Sequence, residues 1–150
     1  MTVECAQLTI HSFKNIVLTL DGRRVTGLWE GDDAVVVERD TELGTPLTGA
    51  DGSSVVSVTA DESARLTIKL MPNSPMNQYL QQRSKAVRMG SLKLIAVGLV
   101  DTTTGEGGGC SAAVIIQEPS KSFGAAATER EWVLFCNCWQ ENDTTYAPVA

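Results

Sequence analysis

At 150 residues with 43% apolar and 20% charged residues, the chain suffices for one domain with a real core and is too short to divide comfortably into two. A net charge of −6 with scattered Lys and Arg argues against stable binding to nucleic acid, which draws its free energy from clustered cations that release counterions. No run reaches the roughly 18 apolar residues a membrane span needs. The start of the chain lacks the basic region and apolar core of a secretory signal, so a soluble product made in the cytoplasm is expected.

Residues 1–11 read as an N-terminal arm or a first strand. Ile16, Leu18 and Leu20 then alternate with Val17 and Thr19, the period of a strand with one buried face. Asp21-Gly22 marks a turn, and further strands are expected over 25–29 and 34–38, separated by Gly31-Asp32. Residues 40–54 hold Gly44, Pro46, Gly49 and Gly52 among small polar residues. They read as a long connection between strands, and connections of that length often carry function. This loop is the first candidate for an inter-subunit contact, through Asp40, Glu42, Leu43, Pro46, Leu47 and Asp51.

Strands follow over 55–59 and 66–70, where Leu66, Ile68 and Leu70 alternate with Thr67 and Lys69. One segment has a different period. Ser74 can accept hydrogen bonds from free backbone N–H groups, and Pro75 suits the first helical position, where its missing N–H is not needed. The spacing predicts a helix over 74–89 with Met76, Tyr79, Leu80, Ala86 and Val87 inward, Gln78, Gln81, Gln82, Arg83 and Lys85 in solvent, and Gly90 as the left-handed stop. Strands are then expected over 92–101, 112–118 and 131–140, with a Gly-rich hairpin tip at 102–109 and a tail at 141–150. The fold class is mainly β: two packed antiparallel sheets in a sandwich or barrel, with one flanking helix.

The sequence carries few signs of site chemistry. The Gly105-Glu106-Gly107-Gly108-Gly109 run lacks the Lys-Ser or Lys-Thr and the following helix of a phosphate loop. His11, the single histidine, has no serine or cysteine in a nucleophile-elbow context, and no calcium-loop spacing surrounds Asp32-Asp33. No catalytic residue, cofactor or metal is assigned. Cys5, Cys110, Cys136 and Cys138 lack the paired knuckles of a zinc site. They read as buried reduced thiols or as disulfides, within or between subunits, if the mature assembly leaves the reducing cytoplasm. In a strand, Cys136 and Cys138 would share a face with Trp132 and Leu134.

Ser12-Phe13-Lys14-Asn15, then an apolar strand into Leu20-Asp21-Gly22, then Gly49-Ala50-Asp51-Gly52-Ser53, then an alternating strand running into Asn73-Ser74-Pro75-Met76-Asn77 form an ordered set. With the closing Glu131-Trp132-Val133-Leu134-Phe135, the set resembles the tail tube family of contractile-tailed bacteriophages, from about Ser12 to Gln140. The resemblance implies a structural virion subunit, with six protomers joining their sheets into a ring β-barrel. Rings would stack head to tail inside a contractile sheath, with terminator and baseplate proteins at the ends, while tape-measure protein and DNA pass through without sticking. A tube of a phage-derived contractile device would have the same protomer physics. A rival reading is a monomeric β-sandwich carbohydrate-binding module using Trp29, Trp132 or Trp139 as a stacking platform. An enzyme would have only scattered carboxylates to work with.

Overall fold

The alternation resolves into ten strands and one α-helix among the residues that the computed structural model describes, namely 6, 8–91 and 93–143. In chain order these are β1 (Ile16–Leu20), β2 (Arg23–Arg24), β3 (Val35–Arg39), β4 (Gly44–Thr48), β5 (Ser54–Val58), β6 (Ala64–Leu70) and α1 (Met76–Arg88). After the helix come β7 (Ile95–Asp101), β8 (Gly107–Gln117), β9 (Arg130–Cys136) and β10 (Gln140–Glu141). The main sheet runs β2-β1-β7-β8-β9-β6-β3 with β10 beside β8, and β4 pairs with β5 in a separate two-stranded sheet. Every named pair is antiparallel.

Strands from both ends of the main sheet share one core. Leu18 and Leu20 of β1 lie in the same buried cluster as Leu66, Ile68 and Leu70 of β6 and Trp132 and Leu134 of β9, so the sheet curls on itself. Each fully buried Leu or Ile contributes about 1.5–3 kcal/mol over an exposed one. Residues 25–29 close one end of the curl. The Val25 N–H donates to Leu18 O at 2.8 Å, the Trp29 N–H donates to Lys69 O at 2.9 Å, and Leu28 bridges Leu70. The architecture is the expected one, mainly β with two antiparallel sheets and one helix. The two facing layers are halves of one sheet, and the second sheet is the ribbon of β4 and β5.

Three local expectations are corrected. No strand spans 25–29: Gly27 sits at φ 71, and the segment crosses between sheet edges, leaving only β2 and the Leu28 bridge. Residues 40–54 are not one long loop, because 44–48 form β4; Pro46 fits there, opposite Val56, since the ribbon's outer edge needs no donor. Gly107, Gly108 and Gly109 belong to β8 and not to a hairpin tip. A Cβ at Gly108 would lie 2.8 Å from the Trp139 ring, and one at Gly107, whose φ is 146, would collide with the Leu99 carbonyl. These glycines serve close packing and not flexibility.

The helix starts near the expected place. Ser74 Oγ accepts from the Met76 N–H at 3.3 Å and donates to Thr26 O at 2.6 Å. At the exit Gly90 has φ 80, the Gly90 N–H donates to Val87 O and the Ser91 N–H donates to Ala86 O, which satisfies carbonyls that the helix leaves free. Met76, Tyr79, Leu80 and Ser84 are buried, while Ala86 and Val87 are half-buried. Arg83 is not turned out to solvent, because the Asp21 carboxylate draws it back to the sheet at 3.1 Å.

Candidate assembly surfaces

The ribbon of β4 and β5 is the outstanding surface. Pairing from Gly44↔Val58 to Thr48↔Ser54 puts Leu47 opposite Val55, and Leu43, Leu47, Val55, Val56 and Val58 are 59–79% exposed. A lone two-stranded hairpin is marginally stable in water, and contiguous exposed apolar side chains mark a surface made to be covered. Its turn is nonetheless built firmly. The Gly49 N–H donates to Ser53 O at 2.7 Å, Asp51 Oδ1 accepts from the Ser53 N–H at 3.0 Å, and Gly52 takes φ 88. The Ser53 N–H holds the Asp51 carboxyl below its ordinary value.

The base of the ribbon is tied to the main sheet. Asp40 accepts from Ser63 Oγ at 2.8 Å and from Arg65 Nε at 3.0 Å. Asp61 accepts from Thr41 Oγ1 and from the Ser63 N–H, and the Ser63 bonds lower its pKa. The candidate contact residues thus divide by position. Asp40 anchors the base, Glu42 and Leu43 are exposed at the entry, Pro46 and Leu47 lie on β4, and Asp51 shapes the tip. The valines of β5 are contact candidates beyond those expected from the sequence; the run Val55, Val56 and Val58 in the expected strand over 55–59 was the available signal.

Of the cysteines, Cys110 and Cys136 come together in the core and Cys138 stands apart. Cys110 and Cys136 are buried and free, Cys138 is exposed and free, and Cys5 lies outside the described residues. Cys136 and Cys138 do not share a face, since β9 ends at Cys136 and the chain bends to bury Trp139, whose backbone N–H donates to Glu62 O at 3.0 Å. Trp132 and Trp139 are only 4% and 3% exposed, which removes both from any sugar-stacking platform; Trp29 is half-buried. His11 is exposed and lines a groove. Among the described residues no helix is long and apolar enough to cross a membrane.

A curled sheet with strand edges to cover and an exposed apolar ribbon defines a β-structured assembly subunit. The chain belongs to the bacteriophage PhiTE tail tube protein family, whose model matches residues 9–142. It is a structural subunit of a tail tube, and so a component of the virion. No curated protein sequence matches it. Among solved structures, the fold is similar to that of a chain in the anti-feeding prophage cap (AFP tube terminating cap), at 11% identity and a TM-score of 0.64, over 95% of this chain and 97% of that one. It is similar to a chain of the PVC sheath-tube complex in the extended state, at 11% identity and TM-score 0.61, over 87% and 89%. It is also similar to a chain of the native gene transfer agent virion, at 12% identity and TM-score 0.62, over 91% and 100%. At such identities the likeness is one of fold.

Proposed function

We propose that six copies of this chain join their sheets edge to edge into a closed ring, and that rings stack coaxially through the β4–β5 ribbon. The observation that carries this reading is the ribbon, whose Leu43, Leu47 and Val55 on one face, with Val56 and Val58 on the other, would leave water only against another subunit. Ring closure pairs the sheet edges and removes the aggregation hazard of an open sheet. Stacking is head to tail and does not close, so other proteins set the length. The subunit acts by assembly and by walling a conduit, and catalyses nothing. A chain of net charge −6 gives passing DNA a surface that repels phosphate.

The partners of this reading are a contractile sheath outside the tube, a terminator at one end, a baseplate at the other, and tape-measure protein in the lumen. The similar chains in a sheath-tube complex and a tube-terminating cap support the first two by analogy. They equally favour a second reading, a tube from a phage-derived contractile device. Neighbouring genes for sheath and capsid proteins would decide between the two. Negative-stain electron microscopy of purified protein tests the main reading: six-fold rings or hollow tubes are expected, and monomers under every condition tried would overturn it.

A further inference from the structure

From Ser63 to Val100 the chain has no Asp or Glu, yet this stretch carries Arg83, Lys85, Arg88 and Lys93 within and just after α1. Folding adds Arg23 to them. Its guanidinium and that of Arg83 lie 5.0 and 5.2 Å from the centroid of the Tyr79 ring. Asp21 and Glu118 reach this end, and each is held by an arginine at 3.1 Å: Asp21 by Arg83 and Glu118 by Arg88. The exit of α1 is then an exposed knob. Lys85 and Met89 lie one turn apart on one side of the helix, Met89 is 86% exposed, and Lys93 follows in the exposed lead to β7.

The β1–β7 ladder gives the molecule a polarity. Its Leu20↔Val97 pair lies at the basic end and its Ile16↔Asp101 pair at the other. Toward that other end lies a groove of about 880 Å³, lined by residues of both β1 and β3. Phe13, Val35 and Val37 lie within it, and Asp32, Asp101, Glu106 and Glu141 line it with negative charge, of which Glu141, 67% exposed, is partly offset by Arg39 at 3.8 Å. Opposite charges therefore sit at opposite ends of one strand pair.

We propose that this groove receives the α1 exit of a second copy of the chain, with Met89 in the apolar interior and Lys85 and Lys93 against the carboxylates of Glu106 and Glu141. A flexible Met side chain fills an irregular apolar gap well, and charge complementarity orients the encounter. Head-to-head pairing would set acid against acid, so the contact allows only one stacking direction. Such a contact joins unlike surfaces and propagates along an axis. It rests on the tube reading and adds a polarity-setting contact distinct from the apolar ribbon.

Charge reversal on each side tests it. Lys85→Glu with Lys93→Glu makes the knob acidic, and Glu106→Lys with Glu141→Lys makes the groove basic; all four positions lie outside the buried core. By electron microscopy each variant alone should lose most of its tube length, about ten-fold, and an equimolar mixture should recover it because the two altered surfaces complement each other. Wild-type tubes should shorten as salt rises from roughly 0.05 to 0.5 M, where charge attraction is screened. Wild-type-length tubes from either variant, or a mixture that stays short, would overturn this contact while leaving the tube reading intact. A wild-type protein that forms no tubes overturns both. Circular dichroism identifies a variant that fails to fold, and Met89→Asp then tests the same knob without altering the lysines.

Discussion

The hydroxyl of Tyr79 on α1 donates a hydrogen bond to the Asp21 carboxylate in the β1–β2 turn, and this bond locks the helix to the sheet. The same carboxylate takes Arg83 Nη2 at 3.1 Å and the Ala96 N–H at 2.9 Å. Asp21 sits at φ 52, a conformation that Asp and Asn tolerate better than most residues. Asp21→Ala removes the acceptor, leaves its donors unpaired and strains the turn. The expected loss is about 1–3 kcal/mol in urea unfolding, and Asp21→Asn should lose less because it keeps the turn.

Acid should destabilise the fold through the same residue. Burial pushes the Asp21 carboxyl up, but hydrogen bonds from Tyr79 and Ala96, with the charges of Arg83 and Arg23, more than offset it and leave it below its ordinary value. Asp33 beside Lys69 and Glu118 beside Arg88 and Ser84 are lowered as well. A carboxyl depressed in the folded state contributes its stability above the unfolded value and loses it as pH falls through the folded one. Urea midpoints should be steady above about pH 5 and fall from about pH 4 downward. Asp21→Asn should flatten that fall.

The glycines of β8 should resist substitution. Gly107→Ala or Gly108→Ala drives a methyl group into the Leu99 carbonyl or the Trp139 ring, at an expected cost of about 1–3 kcal/mol. Gly124, with nothing within 4 Å of its would-be Cβ, is the control and should change by less than about 0.5 kcal/mol as Ala. Thermal unfolding followed by circular dichroism measures both.

Thiol chemistry should separate the cysteines. Burial, with Cys110 alongside, pushes the Cys136 thiol up to about 12, and the thiolate is the reactive form. With an alkylating reagent near pH 8 and peptide mapping, Cys138 should label in the folded protein, and Cys110 and Cys136 only in denaturant. Should disulfides join subunits, Cys138 is the exposed candidate among the described residues. Non-reducing gels of assembled particles would then show a ladder that Cys138→Ser abolishes.

The ribbon should matter to assembly and not to folding. Leu47→Asp with Val55→Asp alters two side chains that are 73% and 64% exposed, so the unfolding midpoint should move by no more than about 0.5 kcal/mol. Tubes should fail to form. Equal loss of folding and assembly would place the ribbon in the protomer's own core.

Much of this fold was legible because alternation is a local consequence of burying one face of a strand. Leu66, Ile68 and Leu70 declared β6, and Ser74, Pro75 and Gly90 bracketed α1, through chemistry acting within a few residues. Where the reading failed, the deciding partner was distant in sequence. Arg83 turns inward because Asp21 waits across the sheet, Gly107 to Gly109 become strand because Leu99 and Trp139 crowd them, and the supposed loop before Ser54 becomes β4 because Val55, Val56 and Val58 offer it an edge. The candidate contact segment was found by its length and composition, while its apolar character came from pairing.

The sequence by itself determined the strand period, the helix and its stops, the acidic balance and, through its ordered motifs, the tail tube family. Only the tertiary structure decided that the two layers are one curled sheet, that Cys110 and Cys136 are buried while Cys138 is exposed, and that basic and acidic residues gather at opposite ends. The reason is physical: periodicity and capping depend on neighbours along the chain, whereas burial, strand pairing and the summed field of charges depend on neighbours in space.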